Sequence, residues 1–114
     1  MLNDILKEFL NIDGVKAAAI VGKDGFVIAN TDSDNFNVDA LGAMVATTVR
    51  TSETLGHEFN LGNLEQYLTE FADGKVVMAK VMDDILAIVT DSSAIIGSVR
   101  YAIKKAMPQM TETL

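Results

Sequence analysis

Apolar residues at the start of this chain recur at helical spacing. Leu2, Ile5, Leu6, Phe9, Leu10 and Ile12 share a face while Asp4, Lys7, Glu8 and Asn11 lie elsewhere, which predicts a short amphipathic helix over residues 2–12. Asp13-Gly14 closes it, because glycine readily enters the left-handed backbone that ends helices. The pattern then changes. Residues 15–21 read as a strand, Gly22-Lys23-Asp24-Gly25 as a hairpin turn and residues 26–29 as a second strand. Ala17-Ala18-Ala19 is small for a strand and would let a helix approach the sheet closely. After the polar segment 30–37, Asn37 is the predicted N-cap of a long helix, with Asp39 at its positive end. Val38, Leu41, Val45, Thr48, Ser52, Leu55 and Phe59 step by three and four, and that seam is predicted to face the core.

Residues 60–63 turn the chain. Residues 64–71 mix Glu65, Gln66 and Glu70 with Leu64, Tyr67, Leu68 and Phe71 and read as an edge strand. Ala72-Asp73-Gly74 leads into a strand over residues 76–81, and Met82-Asp83-Asp84 turns into a run of five apolar residues, 85–89. Such a run suits a central strand buried on both faces. Asp91, Ser92 and Ser93 offer caps for a last helix carrying Ile96, Val99, Ile103 and Met107 on one face. Pro108 is predicted to end it, leaving residues 109–114 as a loose tail. The order α-β-β-α-β-β-β-α with short strand connections implies antiparallel pairing. The expected fold is therefore α/β: a three-layer α/β/α sandwich around a five-stranded, mainly antiparallel sheet, formed by one domain over residues 1–114.

One stretch of the long helix departs from an ordinary surface helix. Residues 40–49 carry no charge, and ten positions cover every side of nearly three turns. A helix covered on one side only should show water a polar face. Two explanations stay open: a second cover beyond the chain's own sheet, or small residues that merely seat the helix tightly on that sheet.

Composition narrows the function. The 114 residues hold no cysteine and a net charge of −7. The charge argues against nucleic acid, whose binding rests on Lys and Arg neutralising phosphates. The missing cysteines remove disulfide scaffolds and thiolate metal sites. The N-terminus lacks the layout of a signal peptide, and no apolar run approaches the ~18 residues that span a bilayer. A cytoplasmic protein without membrane insertion is expected. His57-Glu58 opens like a zinc-protease motif, but Leu61 stands where the second histidine belongs. The segment from Asp32 hints at a calcium loop, yet Phe36 and Ala43 replace required ligands. Ser92 and Ser93 have no base nearby in sequence. Arg100, Lys104 and Lys105 form a small basic cluster that suits a helix C-terminus. No catalytic set emerges, and no enzyme activity or cofactor is expected.

Several pieces together resemble the roadblock family of dynein light chains and small-GTPase regulators. They are Gly14-Val15-x-Ala17-Ala18-x-Ile20-Val21, Asp24-Gly25-x-x-Ile28-Ala29, the long helix rich in small residues, Gly62-x-Leu64, Gly74 and Gly97-x-x-Arg100. The match covers about residues 2–107. It implies sheet order 2-1-5-4-3 and a relation to profilin-like and longin-like folds. It also implies a homodimer joined through the third strand, with the long helices of two copies side by side. In that frame Gly42, Ala43, Ala46 and Thr47 become the helical patch of the dimer, and Leu64, Gln66, Leu68 and Glu70 its strand contribution. The family further implies a non-enzymatic regulator or scaffold for a Ras-like GTPase, for which Arg50, Glu53 and His57 are candidate contacts. Arg50 is the sole arginine near that surface, and it also reads as an ordinary rim residue or as an intrahelical ion-pair partner of Glu53 three positions on. Any activation is therefore expected to work by ordering the GTPase's own residues. The alternative is a small-molecule-sensing module of similar fold, which would need an interior pocket with converging polar groups.

Overall fold

In the computed structural model, which describes residues 1–114, five strands pair antiparallel in the order β2-β1-β5-β4-β3. The elements are α1 (Leu2–Phe9), β1 (Val15–Val21), β2 (Val27–Asn30), α2 (Val38–Glu58), β3 (Gln66–Phe71), β4 (Gly74–Val81), β5 (Asp84–Asp91) and α3 (Ile96–Thr113). Element order and strand order are those expected. β5 is central, and its Ile85, Leu86, Ala87 and Ile88 are all buried, as the unbroken apolar run required.

Alternation along the strands builds two cores. Beneath the sheet, α1 and α3 bring Leu6, Phe9, Val99 and Ile103 against Ile20, Val77, Leu86 and Ile88. Above it, α2 alone brings Val45 and Val49 against Val21, Met78, Ile85 and Ala87. The alanines of β1 serve both faces: Ala18 packs below and Ala19 above. Two connections set close approaches. Gly25 (φ +93°) completes the β1–β2 turn, which Asp24 Oδ1 fixes by accepting from Phe26 N at 3.1 Å. At Gly74 a Cβ would fall 2.3 Å from the Thr90 carbonyl oxygen, so only glycine lets β4 start against β5 there.

The C-terminus differs from expectation. α3 does not stop at Pro108 but runs on to Thr113, and residues 109–113 are helix rather than loose tail. A proline inside a helix costs about 3 kcal/mol. Here Met110 is fully buried in the lower core, worth roughly 1.5–3 kcal/mol. Leu114 N donates to Met110 O at 3.0 Å and Thr113 Oγ1 to Gln109 O at 2.7 Å, tying down the last turn. The start of α3 also differs. Its N-cap is Ile95, without a side-chain cap. Ser92 and Ser93 precede the helix, and Ser93 instead donates from its backbone N to Asp91 Oδ1 at 2.8 Å.

Candidate protein-interaction surface

Asn37 starts α2 as expected, its Oδ1 accepting from Ala40 N at 3.1 Å. Advancing 100° per residue, the helix then sorts its uncharged positions by side. Val45 and Val49 point into the sheet. Gly42 and Ala46 are buried too, leaning on the β1–β2 turn: a Cβ on Gly42 would meet the Gly25 carbonyl oxygen at 2.5 Å. These two residues therefore do not belong to an outward patch. Their smallness lets α2 sit on its own hairpin, whereas Ala43 and Thr47 are exposed. At the other end, Leu55 and Phe59 leave the predicted core seam and are 58% and 65% exposed. A helix of 21 residues is about 31 Å long, more than the roughly 19 Å between the outer strands of a five-stranded sheet, and its last turns lie beyond the buried positions Val45 and Val49.

The flank of α2 turned away from the β1–β2 turn is a continuous stripe of Met44, Thr48, Thr51 and Leu55. Met44 is 63% exposed. The hydroxyl donors on this half of the helix are already used. Thr47, Thr48, Thr51, Ser52 and Thr54 each donate to the carbonyl four residues back, at 2.8–3.1 Å. Such back-bonding leaves the threonine methyls to meet the surroundings. The side thus presents few free hydrogen-bond donors to water, although it is exposed.

Beside the stripe the upper sheet face is incompletely roofed. One helix about 10 Å wide cannot cover five strands spaced about 4.8 Å apart. Tyr67 and Thr69 of β3, Val76 of β4 and Val89 of β5 remain half-buried on that side. Leu55 shares an open depression with Leu64 and Tyr67, which places the stripe next to β3. β3 pairs only with β4, so its second edge offers unpaired N–H and C=O groups. Along it, Gln66, Leu68 and Glu70 are exposed, Leu64 is half-buried just before it, and Phe71 is 60% exposed at its end. The strand residues expected at a dimer contact therefore lie on an open edge. The helical ones divide: Ala43 and Thr47 are exposed while Gly42 and Ala46 are buried, and Met44, Thr51 and Leu55 are exposed on the other flank. The spacing 44, 48, 51, 55 is legible as a second stripe, although the predicted core seam takes Thr48 and Leu55 and leaves Met44 out.

Arg50, Glu53 and His57 lie together on the opposite flank of α2. Glu53 reaches down to Lys80 of β4 at 3.6 Å and so braces the helix against its own sheet. It makes no ion pair with Arg50, so of the two readings of Arg50 the intrahelical pair is absent, and Arg50 and His57 are exposed. The cluster Arg100, Lys104 and Lys105 is exposed at the middle of α3. Because the helix continues to Thr113, a helix-end preference does not account for it. Asp91 holds its carboxyl below the usual range, through the hydrogen bonds from Ser93 first and weaker attraction to Lys16 and Lys75 second. No helix is long and apolar enough to cross a membrane.

The profile of the Roadblock/LC7 domain matches residues 1–91. MJ0714 of Methanocaldococcus jannaschii is 35% identical over 106 residues, spanning 93% of this chain and 90% of the relative. Among solved structures, Myxococcus xanthus MglB has a TM-score of 0.91 at 22% identity, covering 98% of this chain and 93% of that one. Profilin IA of Acanthamoeba castellanii has a TM-score of 0.70 at 15% identity, over 99% of this chain and 98% of its own. At such identities the structural likeness concerns the fold alone, and it bears out the profilin-like class.

Proposed function

The chain belongs to the Roadblock/LC7 domain family, and on that premise we propose that it is a non-enzymatic homodimeric regulator or scaffold for a Ras-like GTPase, acting in the cytoplasm. One observation carries the dimer: the apolar stripe of α2, the half-roofed sheet beside it and the open edge of β3 form one continuous surface. A second copy related by a twofold axis supplies what each part lacks. Its β3 completes the edge hydrogen bonds, and its α2 roofs the exposed half of the sheet. A twofold interface must be self-complementary, and a strand edge and an apolar helix flank both are. Pairing the two helices leaves their remaining outward faces, with Ala43, Thr47, Arg50 and His57, as a broad platform. That platform and the family support a GTPase as its occupant.

Light scattering at tens of micromolar tests the assembly. The wild type is expected as a dimer, and Met44→Glu with Leu55→Glu as a folded monomer. A monomeric wild type removes the basis of the proposal. For the partner, the Ras-like GTPases encoded beside or near this chain's gene are loaded with GDP or a GTP analogue and passed over the immobilised dimer. Retention of one of them in a nucleotide-dependent manner is expected, and retention of none in either state sinks the GTPase assignment. Should hydrolysis accelerate, Arg50→Ala is expected to cost less than tenfold, against the 10³–10⁵ that an arginine finger supplies.

A further inference from the structure

The basic cluster of α3 has no work to do within one copy. Arg100 and Lys104 make no ion pair and no hydrogen bond, although the chain as a whole carries −7. Both line a depression that wraps the open edge of the sheet, with α2 above it and α3 below, and that also takes in Gln66 of β3 and Ala79 of β4, so they stand beneath the N-terminal half of that edge. Glu65 and Glu112 border the same depression without pairing to them. At the C-terminal half of the same edge stands Glu70. It also lies on the lower face, because it shares the alternation of Gln66 and Leu68 and faces Lys75 of β4. Its side chain is 71% exposed, and its contact with Lys75 is a loose 3.9 Å.

Resting on the β3-paired dimer proposed above, we infer that Glu70 of each copy is received by Arg100 and Lys104 of the other, closing the interface with two symmetric charge clamps. Symmetry restricts the register. A twofold axis normal to the sheet keeps upper faces up, so residues directly opposite across β3–β3 share the same alternation. If the axis passes at Leu68, Glu70 of the partner subunit faces Gln66; if at Thr69, it faces Leu68. Either way the acidic group lands one strand spacing, about 4.8 Å, beyond the edge and on the side where Arg100 and Lys104 wait. Antiparallel pairing brings the acidic end of one edge to the basic end of the other. The clamp also gives a physical reason for placing positive charge there: two chains of −7 repel on approach, and a local attraction of opposite sign offsets this and fixes the register.

The test uses Glu70→Lys and the double variant Arg100→Glu with Lys104→Glu, all at exposed positions. Circular dichroism checks the fold and sedimentation velocity the assembly. Each variant alone places like charges at both clamps and is expected to weaken the dimer by roughly tenfold or more. Mixed together, the two variants restore opposite charges at both clamps, so a heterodimer of near wild-type affinity is expected. A dimeric wild type whose variants associate equally well, with no preference for the mixed pair, overturns the clamp while leaving the dimer standing. A monomeric wild type overturns both.

Discussion

Gly42→Ala separates the two roles that small residues of α2 could have. A glycine inside a helix costs about 1 kcal/mol relative to alanine, so the substitution gains that much from backbone propensity alone. Against it stands the β1–β2 turn. The new Cβ would lie 2.5 Å from the Gly25 carbonyl oxygen and 3.0 Å from Val27 Cγ2, where ordinary contact begins near 3.4 Å. The opposing atom is backbone and is held in place: Gly25 N donates to Gly22 O at 2.9 Å and Gly22 N to Phe26 O at 2.8 Å. The helix or the hairpin must therefore give, and overpacking of this kind costs about 1–3 kcal/mol. The balance is a destabilisation of up to about 2 kcal/mol, a fall in Tm of several degrees for a chain this size. Gly97→Ala in α3 provides the control, because nothing lies within 4 Å of its Cβ. It should be neutral or stabilise by up to about 1 kcal/mol. Both are read by urea unfolding at one low protein concentration, so that dimerisation does not differ between them. If Gly42→Ala stabilises as Gly97→Ala does and lowers only the dimer affinity, the seating of α2 on its own hairpin is wrong.

Other consequences are as direct. Met110→Ala should cost about 2–5 kcal/mol, because its side chain is fully buried, whereas Gln109→Ala should leave stability within about 0.5 kcal/mol; equal, negligible effects in chemical unfolding would return residues 109–114 to a loose tail. Asp91 has its pKa lowered in the folded chain, so its contribution is present above the ordinary carboxylate range and is lost as pH falls through the folded pKa. Asp91→Ala should therefore lower Tm at pH 7 and lose that effect towards pH 2–3; a deficit that stays constant from pH 7 to pH 2 would show that ionisation is not involved.

What the sequence made legible follows from how local each cause is. β1, the hairpin turn, the Asn37 cap and the central β5 depend on alternation, turn chemistry or capping within a few residues, and all appear where expected. Pro108 misled because its local cost was visible while its compensation was not. Met110 is fully buried in the lower core, whose other members come from residues 6 to 103, which no window around residue 108 contains. The functional surface shows the same division. That residues 40–49 avoid charge could be seen at once, and so could the polar edge of β3. Which side of α2 meets the sheet's own turn depends on a gap only a glycine fills, set by Gly25 some seventeen positions earlier. Periodicity alone cannot tell a small residue that seats a helix from one that greets a partner, since both avoid charge. The distinguishing mark lies in volume. Inward positions facing backbone had to be Gly42 and Ala46, whereas the outward stripe kept Met44, Leu55 and the back-bonded threonines. Those larger apolar side chains, left exposed on a well-packed domain, are the stronger sign of a second cover.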